Sequence, residues 1–160
     1  MASGKILVIV ESPAKCSKIE EYLGHAYKCV ASFGHLRELT GLKSINEKYQ
    51  PTFTNCESKV KQISKLEKLI ASAQEVIIAT DDDREGEGIG WHICDLFSLP
   101  VESTKRIIFN EITKKALTDA VNAPTVLNMD LVKAQQARQI LDLIVGFKIS
   151  PVLWANISQK

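Results

Sequence analysis

The run Asp81-Asp82-Asp83-Arg84-Glu85-Gly86-Glu87 is the densest concentration of carboxylates in the chain, and a further acid, Glu11, closes the apolar stretch KILVIVE far upstream. Carboxylates brought together repel, so a fold that gathers them must raise some of their pKa values or supply a counter-charge. A divalent cation supplies one. Magnesium takes hard oxygen ligands, typically one or two carboxylates completed by water and phosphate oxygens, which suits Asp81, Asp83 and Glu85 with Glu11 nearby. The run lacks the spacing of an EF-hand and contains neither imidazole nor thiolate, which argues against calcium and zinc. The chemistry open to such a site is metal-assisted phosphoryl transfer. A plainer alternative stands beside it: acids at a helix start are favoured by the helix dipole, and DDDREGE is then a solvated charge run.

Two basic residues belong to the same neighbourhood. Lys15 follows Glu11 by four positions, after Ser12-Pro13, a pair that caps and opens a helix. A lysine in that first turn, where free amides already favour anions, could hold a phosphate; it could equally be an ordinary exposed lysine. Arg84, inside the acidic run, either pairs with its neighbours or meets phosphate.

The elements that must position these groups read as alternating strands and helices. Lys5 to Glu11 and Glu75 to Thr80 are short, β-branched apolar runs, the pattern of parallel strands covered on both faces, and each is followed by acid. Residues 13 to about 23 should be helical, 27 to 32 a strand, and 34 to 57 irregular. From 58 to 73, Val60, Ile63, Leu66 and Ile70 recur at helical spacing. A helix is expected over roughly 85 to 97, a strand at 106 to 109, a helix from 113 to about 121, and a long helix from about 129 to 147 stopped by Ser150-Pro151. The implied fold is α/β, a central parallel sheet flanked by helices, with a C-terminal helical segment. In such sheets, sites form at the carboxyl ends of strands, so Glu11 and Asp81 should share one edge. Ala123-Pro124-Thr125 marks a boundary, giving units 1–125 and 126–160.

Composition sets the outer bounds. At 160 residues, 45% hydrophobic and 24% charged, the chain can bury one good core, and a net charge of +1 neither announces nor excludes a nucleic-acid partner. Cys16, Cys29, Cys56 and Cys94 are too widely spaced for structural zinc and read as reduced thiols. No run approaches the roughly 18 apolar residues of a membrane span, so no membrane contact and a cytoplasmic location are expected.

VESPAK (10–15) and TDDDREGE (80–87) resemble the two signatures of the TOPRIM domain in type IA DNA topoisomerases, of the bacterial topoisomerase I type. SFGHLREL (32–39), GIGWH (88–92), FNEIT (109–113), QQAR (135–138) and SPVLW (150–154) resemble further blocks in the family's order. The resemblance implies a Rossmann-like TOPRIM domain at 1–125 and, over 126–160, the truncated start of a helical DNA-binding domain. It implies a Mg2+-dependent isomerase that relaxes negatively supercoiled DNA by transient single-strand cleavage and strand passage. Such an enzyme acts as a monomer on a single-stranded segment of DNA, in the cytoplasm or nucleoid. By position, Glu11 is similar to the glutamate handling the proton of the 3′ hydroxyl, and Lys15 to a lysine on the scissile phosphate. Asp81, Asp83 and Glu85 resemble the metal-binding acids, and Arg138 an arginine lying along the strand, with Arg84 a further DNA contact. The family often has arginines where this chain has Gln139 and Leu143. The family's nucleophilic tyrosine lies in a Tyr-(Met/Pro)-Arg-Thr setting that Tyr22, Tyr27 and Tyr49 lack. The chain therefore reads as an N-terminal fragment, inactive alone. SPVLW and QQAR set it apart from TOPRIM primases and small nucleases. A binding module whose acids only cap helices is the third reading, with Phe33, Trp91 and Trp154 as core aromatics or base-stacking ones.

Overall fold

The computed structural model describes residues 4–157. Four parallel strands form the central sheet: β1 (Ile6–Val10), β2 (Tyr27–Ala31), β5 (Glu75–Ile78) and β6 (Lys105–Arg106), in the order β2-β1-β5-β6. β1 and β5 are central and wholly apolar at their buried positions because each must face packed helices on both sides. Side chains alternate along β1: Leu7 and Ile9 enter one core cluster and Val8 and Val10 the other. The first cluster lies under α2 (Val60–Ser72) and α3 (Arg84–Leu96) through Leu66, Ile89 and Ile93; the second lies under α1 (Cys16–Leu23) and α4 (Lys114–Asn122) through Ile19 and Leu117.

The helix boundaries follow local chemistry. Ser12 caps a 3-10 turn at Pro13–Lys15 that runs into α1, and Gly24, at φ 88°, ends α1 in a conformation that favours glycine. Thr113 caps α4 by accepting from the Ala116 amide at 3.1 Å. Asn128 caps α5 (Met129–Lys148) by accepting from the amides of Asp130 and Leu131.

Three sequence expectations need correction. The stretch 34–57 is not wholly irregular: β3 (Arg37–Glu38) and β4 (Thr54–Asn55) form a two-residue antiparallel ladder, too short to leave a periodic trace. The strand expected at 106–109 shrinks to Lys105–Arg106, although the Ile107 amide still bonds to the Ile78 carbonyl at 2.9 Å. α5 ends at Lys148, as expected ahead of Ser150-Pro151, but that pair also opens a further helix, since proline in a first turn forfeits no hydrogen bond; α6 spans Ser150–Ile157. Residues 129–157 thereby form a helical stretch that by length and mean hydropathy alone is long and apolar enough to cross a membrane, although Asp142 and Lys148 interrupt it and it contains no unbroken apolar run of that length.

The proposed boundary near 125 is bridged by contacts. Thr125 exchanges both backbone hydrogen bonds with Arg106 at 2.8 Å, Leu127 is buried in the core under α3, and the first half of α5 packs on α3 through Val132 and Gln135. Beyond that contact α5 and α6 present Leu141, Phe147, Val152, Leu153 and Trp154 to solvent.

Candidate active site

Because β1 and β5 are parallel neighbours, the residues just past their carboxyl ends meet. The Asp81 amide donates to Glu11 Oε1 at 2.9 Å. Lys15, delivered by the 3-10 turn after Glu11, donates from Nζ to Asp81 Oδ1 at 2.7 Å. An acid from one strand, an acid from the other and a cation between strand and helix thus occupy one edge, as the alternation of elements predicts. Beside them lies a cleft of about 290 Å3 lined by Lys15, Thr80, Asp81, Asp82, Phe109 and Asn110.

The remaining acids are distributed, not pooled. Asp83 caps α3, its Oδ1 accepting from the Gly86 amide at 2.7 Å. Glu85 turns the other way and bonds through Oε2 to His35 Nε2 at 3.0 Å. Among the described residues no three histidine, cysteine, aspartate or glutamate side chains converge as a ready metal group, so the expected gathering of four carboxylates is not realised. The donor chemistry still fits magnesium, which needs only one or two carboxylates and takes water for the rest. Asp81 and Glu85 offer hard oxygens on side chains that are about half exposed.

Burial pushes the Glu11 carboxyl above the usual carboxylate range, and the nearby charges of Asp81 and Asp83 push the same way; the Asp81 amide and Lys15 oppose them. A carboxyl held toward its protonated form is suited to giving a proton to a leaving oxygen.

Arg84 is exposed at the start of α3 and makes no ion pair among the described residues, so the local pairing considered for it does not form. Arg138 lies on α5, its Nε 3.7 Å from Asp142 Oδ2, too far for a hydrogen bond. Another groove, of about 540 Å3, runs between β3 and α5 and is lined by His35, Arg37, Gln139 and Asp142, among others.

Sequence reasoning missed the residue on which the acidic loop rests. Arg106 is fully buried: Nε and Nη2 bond to Glu87 Oε1, Nη1 donates to the carbonyls of Thr80 and Ile107, and Nη2 donates to the carbonyl of Asp81. The other Glu87 oxygen accepts the Asn128 amide at 2.8 Å. Glu87, though part of the acidic run, is therefore a structural acid. The available signal was a charge heading the expected strand RIIF, which a buried strand tolerates only with a partner. Gly86 completes the loop, since a Cβ there would lie 1.9 Å from the Asp81 carbonyl oxygen.

Residues 6–112 match the sequence profile of the Toprim domain. The chain belongs to the Toprim family. That match takes in Glu11, Lys15 and the whole acidic run of this Toprim chain and stops before Arg138. Full-length topoisomerase I from Thermotoga maritima is similar in structure, with a TM-score of 0.85 and 40% sequence identity over 92% of this chain and 26% of that one. The Toprim chain thus spans about a quarter of that relative's length.

Proposed function

We propose that this chain is the Toprim-bearing N-terminal part of a type IA DNA topoisomerase, supplying the acidic half of a centre that cuts and reseals one strand of negatively supercoiled DNA. The observation that carries the reading is the hydrogen bond from the Asp81 amide to Glu11 with Lys15 seated on Asp81. In this reading Glu11 gives a proton to the departing 3′ oxygen and takes it back on resealing. Lys15 holds the scissile phosphate, and Arg84 and Arg138 contact the strand on either side. Asp81, Asp83 and Glu85 would hold Mg2+, whose positive charge stabilises the developing phosphoryl charge. Asp83 reaches a metal only by sharing its capping carboxylate, and Glu85 only by turning away from His35.

The nucleophile comes from elsewhere. Tyr27 pairs with Ile6, at the opposite end of β1 from Glu11, about 16 Å away along a strand. Tyr22 packs against the core under α1, and Tyr49 is exposed in the 34–57 stretch. Residues 126–160 begin a following helical domain, whose remainder covers the apolar stripe of α5 and α6. The whole enzyme acts as a monomer in the cytoplasm or nucleoid, away from membrane.

Two measurements test the reading on the 160-residue chain. Magnesium titration by calorimetry should show a site that Asp81→Ala/Asp83→Ala loses; identical curves would favour a module whose acids only cap helices. Incubation with negatively supercoiled plasmid and Mg2+ should give neither nicking nor relaxation. Relaxation by the chain alone would sink the claim of a missing tyrosine, and metal-dependent nicking would point to a nuclease.

A further inference from the structure

Phe33 sits where folding gains little from it. The residue is 49% exposed, and its backbone adopts φ 59°, a left-handed conformation that costs a non-glycine residue stability. Yet the residue is firmly held. The Ser32 and Phe33 amides bond to the carbonyls of Val10 and Glu11 at 2.8 and 2.9 Å, extending the β1–β2 ladder past its last paired residues. Lys59, in the 3-10 turn Glu57–Lys59 ahead of α2, donates from Nζ to the Phe33 carbonyl and lies 5.9 Å from the ring centroid. Gly34 follows at φ 85°, and the turn then delivers His35 to Glu85. A half-exposed aromatic ring is thus fixed just past the end of β2, beside Glu11, with an ammonium over one of its faces and the other left to receive a base.

We infer that Phe33 is a stacking platform for a nucleobase next to the scissile phosphate, with Lys59 reaching the adjoining backbone phosphate. This rests on the DNA reading above. A flat apolar ring with a wet face gains by stacking on any base, and a cation beside it gains from the backbone charge whatever the sequence. The platform therefore requires a base and does not select which one. Held on the backbone of Glu11, it sets where the strand lies relative to the residue that handles the proton, so Phe33 is a positioning residue.

The test uses the full chain and single-stranded oligonucleotides of about four to six nucleotides, too short to slide along the site, carrying one abasic nucleotide at successive positions and read by fluorescence anisotropy. Wild type should lose about tenfold in affinity when the abasic nucleotide falls at the platform. Phe33→Leu should bind every oligonucleotide of the series about equally, and Phe33→Trp should restore the dip and have its fluorescence quenched on binding. Irradiation of 5-iododeoxyuridine at the same position should cross-link to Phe33, mapped by peptide mass. Equal abasic profiles for wild type and Phe33→Leu, or a cross-link confined to other residues, overturn the platform while leaving the topoisomerase reading standing. Failure of wild type to bind any single strand overturns both. Thermal melting of each variant separates loss of a contact from loss of fold.

Discussion

Glu11 is ionised at a cost in the folded protein. Its carboxyl is raised by burial, so above its folded pKa the native state carries a charge that the unfolded chain bears more easily. That penalty is complete above the raised pKa and disappears as the pH falls through it toward the ordinary carboxylate value. Glu11→Gln, which keeps an oxygen to accept the Asp81 amide, should therefore melt higher than wild type at pH 7 in the absence of metal. The difference should close as the pH approaches about 4.5. A gap that widens on acidification would contradict the assignment. At this scale the meeting of Glu11 and Asp81 was legible, because both follow apolar runs that had to be neighbouring parallel strands. The use of each remaining acid was not. Whether Asp83 caps a helix, Glu85 reaches His35 or Glu87 turns inward depends on rotation about the α3 axis, which a run of similar residues does not encode.

The turn between β5 and α3 is set by contacts with little slack. Gly86→Ala would drive a Cβ against the backbone of Asp81, which no side-chain rotation relieves. Overpacking costs about 1–3 kcal/mol, and with backbone as the obstacle the loss should reach the top of that range. That corresponds to a fall in Tm on the order of 10 °C, checked by circular dichroism. Arg106→Met should cost about 3–5 kcal/mol in urea unfolding, because it leaves Glu87 buried and unpaired and strips three carbonyls of a donor. Arg106→Met/Glu87→Met should recover part of that loss, and a double variant as unstable as the sum of the singles would show that the pair does not act as a unit. Elements with a clear period, such as α2, and buried strands such as β1 were legible to within a residue or two. β3 and β4 were hidden because two residues make no pattern, and α6 because proline was read as a stop where it also serves as a start.

Across the whole molecule, the sheet with its helices is closed and the far half of α5 with α6 is not. Trp154 is 70% exposed, and Leu153, Val152 and Phe147 lie on the same uncovered stretch. Apolar surface of that kind drives association. Sedimentation of the 160-residue chain should show a mass that rises with concentration, and Leu153→Glu/Trp154→Glu should remain at monomer mass; a wild-type mass independent of concentration would show the stripe to be inert. The parallel α/β architecture could be read from the order of apolar runs. The close join at 123–128 could not, since Pro124 signals a break while Leu127 and Asn128 are tied back into the core and to Glu87. That tie fixes the near end of α5 two bonded partners away from the Asp81 carbonyl, through Glu87 and Arg106. A helix of this length is about 30 Å long, so a tilt of roughly 10° would carry its far end by about 5 Å while Asn128 hardly shifts. Any such swing turns about the acidic edge as a pivot, and a strand lying along α5 would be carried farthest where it is most remote from the chemistry.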